Sequence, residues 1–255
     1  MEFDPALALR MVTNDRLRVA QGWGEYRSLQ GALSVTSDAP IASLNCLSGF
    51  TTNERSVRSL LDIGFALLRA FDREPAVSVT PLDRPRSITK HLRDRRLAIT
   101  ARSSWMTFAG DVATIATNAD VAIRIAEPDD AREFAAIHGG SVRWVRQLSL
   151  RTTLSAMIES GNTFYIASLD GQPCGTLHLL VDGRTAGIYA VKTQRSHRRR
   201  GVSSTLIARA INDARAAGCD VVCLSTQSGG YAEQLYARLG FVRAFESELW
   251  TEPAR

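Results

Sequence analysis

Apolar and polar positions alternate and repeat most clearly from residue 121 onward. "VAIRIAEP" alternates as a strand does, and "PDDAREFAAI" then opens with a proline and two acids, the composition of a first helical turn. A second helical stretch runs near Leu150 to Glu159 and stops at Gly161. After it, "TFYIASLDGQPCGTLHLLVDGRTAGIYAVKT" holds three alternating runs separated by Asp170-Gly171 and Asp182-Gly183. Asp-Gly between apolar runs tolerates positive φ and signals hairpins, so the pattern predicts an antiparallel meander. Next, Val202, Leu206, Ala210 and Ala214 fall in steps of four, with Ile207 and Ile211 widening the stripe until Gly218. A strand "DVVCLST", a short helix "YAEQLYARLG" and a last run "FVRAFESELW" complete the order β-α-α-β-β-β-α-β-α-β. The strand-helix-strand crossover makes part of this otherwise antiparallel sheet parallel.

The first 109 residues are less regular, but their end has the same order. Helix "SVRSLLDIGFALLRAF", strand "AVSVTP", helix "RSITKHLRDRR" and strand "LAITARSSWMTF" follow one another. Adding about 144 to the numbering carries Val77 onto Val221, Leu97 onto Phe241 and Met106 onto Trp250 without a gap. Matching periodicity at a fixed offset predicts a degenerate internal repeat. "GDVATIATNAD", poor in large apolar residues, is the natural connector. The expected division is a first domain over 1–110, a linker over 111–120 and a second domain over 121–255.

Composition narrows the picture. A chain of 255 residues with 45% hydrophobic and 22% charged positions suits one large or two modest domains. No apolar run is long enough to span a bilayer, and "MEFDPALALR" lacks a secretory pattern, so a cytoplasmic protein is expected. Cys46, Cys174, Cys219 and Cys223 show neither CxxC nor histidine at metal spacing, which predicts reduced thiols, no disulfide and no metal. The net charge of +5 favours anionic partners.

The candidate chemistry lies in "HRRRGVSSTLIARA", His197 to Ala210. A helix that starts near Gly201 leaves its first N–H groups without partners, and these amides together with the helix dipole form an anion site. Gly201 lets backbone approach a phosphate, Ser203 and Ser204 avoid crowding it and offer hydroxyls, and Arg198, Arg199 and Arg200 supply charge-assisted bonds.

"RRRGVSSTL" resembles the Q/R-x-x-G-x-G/A signature of the GNAT N-acyltransferases, and "AEQLYARLGF" resembles that family's A-x-x-L-Y-x-x-x-G-F element at the usual distance. The resemblance covers residues 121–250, and the N-terminal half only through the repeat. Two positions depart from the pattern: Ser203 stands where Gly or Ala is usual, and Gly229 where many relatives have asparagine. The resemblance implies an α/β fold of α+β type, a mixed, mostly antiparallel sheet flanked by helices, in tandem. It implies acetyl-CoA as cosubstrate, its pyrophosphate at Arg198, Arg199, Arg200, Gly201, Val202, Ser203 and Ser204. The pantetheine arm then lies between "GIYAVKT" and "DVVCLST", against backbone at Val191, Lys192 and Thr193, and Tyr236 matches the family's general acid. No base is legible; His178 or a water chain are both open.

Shifted back by the same offset, the pyrophosphate turn lands on "TNERSV", which has no glycine and carries Glu54, so the first half is expected to bind no CoA and to wall the acceptor site. The acceptor is expected to be a small-molecule or peptide amine. "HGGSVRWVRQLS", with Arg143, Trp144 and Arg146, suits an aromatic or anionic one, and a packed surface loop explains it equally well. No membrane or nucleic-acid partner is expected, a homodimer stays open, and a non-catalytic acyl-CoA-sensing or partner-binding module is the alternative to an N-acetyltransferase.

Overall fold

The computed structural model describes residues 2–139 and 150–253. Helix α1 (Pro5–Gly22) begins where the Asp4 carboxylate accepts from the amides of Ala6 and Leu7, with Pro5 in the first turn. Strands β1 (Glu25–Ser28), β2 (Leu33–Thr36) and β3 (Cys46–Ser48) follow, then α2 (Val57–Ala70), β4 (Ala76–Val79), α3 (Ile88–Asp94) and β5 (Ala98–Phe108). The second half has β6 (Ala122–Ile125), α4 (Ala131–Gly139), α5 (Leu150–Glu159), the meander β7 (Asn162–Leu169), β8 (Gln172–Asp182) and β9 (Thr185–Thr193), then α6 (Val202–Ala216), β10 (Val221–Gln227), α7 (Tyr231–Arg238) and β11 (Phe241–Thr251). This is the predicted element order. Asp170 (φ 53°) and Gly171 (φ 72°) make the left-handed turn expected of the β7–β8 hairpin.

Among the described residues, all the strands lie in one 11-stranded sheet of order β1-β2-β3-β4-β11-β5-β10-β9-β8-β7-β6. Only β3–β4 and β9–β10 are parallel; the other pairs are antiparallel. Each half thus places its closing strand inside the other's part of the sheet: β11 lies between β4 and β5, and β5 between β11 and β10. The repeat is visible in the register. The pair Thr107↔Val242, with each number moved by 144, becomes Thr251↔Ala98, which is also present. The same offset carries α2 to 201–214, close to the observed Val202–Ala216, and β5 to 242–252, close to Phe241–Thr251.

The cores are exchanged with the strands. Met106 of β5 packs in the cluster of the second half, with Leu177, Ile188, Leu206, Ile211, Tyr236 and Phe241. Its repeat partner Trp250 packs in the cluster of the first half, with Phe50, Leu61, Leu68, Val77 and Leu92. Burying a side chain of this class contributes about 1.5–3 kcal/mol, so both halves hold an anchor from the other.

Helices α6 and α7 cover one face of the second half. On the other face, α4 and α5 pack with Phe164 and Ile166, and α1 crosses over from the first half onto β10 through Ala8, Met11 and Val12. Among the described residues no helix is long and apolar enough to cross a membrane.

Candidate functional site

Strands β9 and β10 stay paired at only three positions, Val221↔Thr185, Val222↔Ala186 and Cys223↔Gly187, and then part. β10 goes on with β5 up to Gln227↔Ser103. β9 bulges: the register against β8 shifts between Thr176↔Lys192 and His178↔Tyr189, so Ala190 and Val191 together face Leu177. Ala190 has φ 51°, and its carbonyl accepts from the buried Thr176 hydroxyl at 3.1 Å. The bulge turns Val191–Thr193 toward the start of α6.

That start is built as the glycine predicts, for a different reason. Gly201 is the N-cap of α6 in the left-handed region (φ 79°, ψ −2°), preceded by Arg199 at φ 63°. The direction its Cβ would take is filled by Asn118, whose Cβ would be 2.9 Å away. The missing side chain therefore serves backbone conformation and packing against the connector. No side chain caps the helix, and the first intrahelical bond is Thr205 N–H to Gly201 O at 3.0 Å. Among the described residues the amides of Gly201, Val202, Ser203 and Ser204 have no protein partner.

These amides open onto a cleft of about 610 Å³ between α6 and α7, lined by Val191, Lys192 and Thr193, by His197, Arg198, Arg199 and Gly201 to Ser204, and by Tyr231, Ala232, Leu235 and Tyr236. The geometry gathers nearly every residue named from the sequence. Arg200 is the exception: its guanidinium bonds Asp170 Oδ2 at 2.8 Å, its carbonyl accepts from Asn118, and it does not line the cleft. The serine hydroxyls are also engaged. Ser204 donates to Gly201 O at 2.9 Å, and Ser203 Oγ is 2.7 Å from Thr193 Oγ1, so the free donors at the turn are mainly backbone.

Tyr236 of α7 lines the cleft. Burial pushes its phenol up to about 12, and its hydroxyl has no protein partner among the described residues. His178 does not fit the role of base. It is 2% exposed, stacked 4.3 Å from Phe164, with Nε2 2.6 Å from Asn162 Oδ1, on the face away from the cleft. Burial, and after it Arg18, hold its pKa well below the usual histidine value.

Sequence reasoning passed over His138, at the end of α4. Its ring hydrogen-bonds the backbone of Ala190 in the bulge, and its Nδ1 is buried without a partner. Burial, then the Lys192 ammonium, lower its pKa, so the ring is neutral at neutral pH. Only the apolar spacing of α4 was legible; the approach of its last turn to β9 depends on the sheet. Arg143, Trp144 and Arg146 lie outside the described residues.

In the first half the corresponding cleft is stitched together. Glu54, Ser87 and His91 occupy the repeat positions of Arg198, Tyr231 and Leu235, and Ser87 Oγ donates to Glu54 at 2.5 and 2.6 Å. His91 Nε2 stands 3.7 Å from the same carboxylate.

An α/β sheet parted at one crossover, with bare helix amides beside the gap, has the geometry to receive an anionic group at the helix start. The comparisons give the protein's class. The family model described as the acetyltransferase (GNAT) family matches residues 130–241. A GCN5-related N-acetyltransferase from Kribbella flavida is similar in structure over 100% of this chain and 98% of its own, with 16% identity and a TM-score of 0.74. A tandem GNAT protein from the clavulanic acid biosynthesis pathway is similar over 96% of this chain and 89% of its own, with 14% identity and a TM-score of 0.67. A functionally unknown conserved protein from Staphylococcus epidermidis is similar over 91% of this chain and 95% of its own, with 14% identity and a TM-score of 0.65. No curated protein matches the chain. Residues 130–241 are a GNAT acetyltransferase domain, of a family that transfers acyl groups from acyl-CoA, and the whole chain has the tandem GNAT fold.

Proposed function

We propose that the protein is an N-acetyltransferase that moves the acetyl group of acetyl-CoA to a primary amine by direct attack in a ternary complex. One observation carries this reading: the partnerless amides of Gly201–Ser204 open onto a cleft that runs along the end of β9 to Tyr236. The amides, with Arg198 and Arg199, hold the diphosphate, and the backbone at Val191, Lys192 and Thr193 receives the pantetheine and polarises the thioester carbonyl. The second half, 121–255, carries this chemistry; the first, 1–110, is joined through 111–120 and binds no CoA, because Glu54 is held where Arg198 stands in its counterpart.

The amine nitrogen adds to the carbonyl carbon, and the tetrahedral adduct then expels sulfur with the electrons of the C–S bond. Tyr236 gives its phenolic proton to the departing thiolate, a role supported by a hydroxyl that is protonated at neutral pH and free of protein partners. His138 Nδ1 takes the proton that the nitrogen loses, supported by its unpartnered lone pair beside the bulge. Base and acid thus stand on opposite faces of the sheet, either side of the bulge in β9. Screening an amine library for free thiol released from acetyl-CoA tests the reading. Amine-dependent thiol release supports it; binding of acetyl-CoA with no turnover on any amine favours the non-catalytic sensing module.

A further inference from the structure

We propose that the first half acts in the reaction through Asn14 of α1, a positioning residue that fixes where β9 and β10 part; this inference rests on the acyl-CoA reading above. Asn14 continues the stripe by which α1 packs on β10, yet it is polar and 0% exposed. Its Nδ2 donates to the carbonyls of Leu180 and Thr185, both at 3.3 Å, and its Oδ1 accepts from the Tyr189 hydroxyl at 2.7 Å. These partners bracket Gly187, the last β9 residue paired with β10.

Gly187 has no positive φ, so conformation does not account for it. Space does. A Cβ there would be 2.1 Å from Asn14 Oδ1 and 2.4 Å from the Tyr189 hydroxyl. An apolar residue at 14 would serve to dock the helix; a buried amide bonded on three sides also fixes the position of the strand, because each misplacement breaks a bond that water cannot replace. Tyr189, one of the three partners, is followed directly by Ala190 of the bulge. Asn14 therefore holds β9 up to Tyr189, two residues before Val191, and through it the backbone that faces the pantetheine.

Calorimetric titration of the full-length protein with two ligands separates this role from general stability. 3′-Phospho-ADP probes only the helix amides and arginines, whereas acetyl-CoA also needs the parted strands. In Asn14→Ala, acetyl-CoA binding is expected to weaken about tenfold or more, with 3′-phospho-ADP changed less than about twofold. Equal weakening of both ligands, or of neither, overturns the proposal. Should Asn14→Ala not fold, Gly187→Ala pushes the same amide aside and is expected to give the same split; a Gly187→Ala protein that binds acetyl-CoA like the wild type overturns it. A wild type that binds neither ligand removes the acyl-CoA reading itself and this inference with it, which is distinct from a wild type that binds both and variants that do not differ.

Discussion

Asn118 Nδ2 donates a 2.9 Å hydrogen bond to the carbonyl of Arg200, immediately before the glycine that opens α6. The Asn118 amide in turn donates to Thr205 Oγ1 at 2.9 Å. A residue of the segment joining the halves thus clamps both ends of the turn that presents the bare amides. Its side chain lies where a Cβ on residue 201 would go.

Gly201 is therefore the position where small changes are felt most. Acetyl-CoA is expected to raise the melting temperature of the wild type; a ligand at 100 times its Kd adds about 2.7 kcal/mol. Gly201→Asp abolishes the rise, since it sets a negative charge at the anion site. Gly201→Ala, with positive φ and no space, costs about 1–3 kcal/mol without ligand. Thermal unfolding with and without acetyl-CoA checks both.

Tyr236 keeps its proton far into the alkaline range, because burial lifts it from 10.0 to about 12. The wild-type rate should rise with pH as the acceptor amine deprotonates and show no fall due to Tyr236 below pH 10. Tyr236→Phe should lower kcat by roughly 10²-fold or more with little change in acetyl-CoA binding. A raised pKa also means that the folded state holds a proton the unfolded chain loses between these two values, so stability falls as pH rises through that window. Rate profiles and alkaline unfolding of both proteins read the two effects.

His138 is expected to set the acidic limb. Its lowered pKa keeps the basic form present below the usual histidine value, so the midpoint of the limb falls under 6.5. His138→Gln should remove that limb and reduce kcat by about 10²-fold or more. The kcat–pH profile decides.

Trp250 is 2% exposed and belongs to the core of the first half, although it is near the C-terminus. Trp250→Ala is expected to destabilise the protein by about 3–5 kcal/mol in urea unfolding. Residues 121–255 expressed alone leave β11 without β4 and β5 and should aggregate on gel filtration, because an unpaired strand edge recruits other chains.

Much of this site was legible locally. The Asp-Gly turns, the four-residue stripe from Val202 to Ala214 and the arginine-glycine start of α6 are dictated by backbone preference and burial over a few residues. The roles of Asn14, Asn118 and His138 were not. Each has an ordinary local setting and gains its partner from a segment about 50 to 175 positions away, through contacts that no periodicity records. Arg200 shows the reverse: within "RRR" it looks equivalent to its neighbours, and only the fold turns it to Asp170.

The chain by itself determined the element order from α2 onward, the repeat and the place of the glycine turn that opens α6, since hydrophobic period and turn chemistry act at short range. Tertiary structure decided which half owns which strand. The offset that aligns Met106 with Trp250 says that they are equivalent, yet gives no sign that each is buried in the other's core. Strand pairing is set by which edges meet once both sheets are present, and two closing strands of like pattern fit either edge until long-range packing selects one.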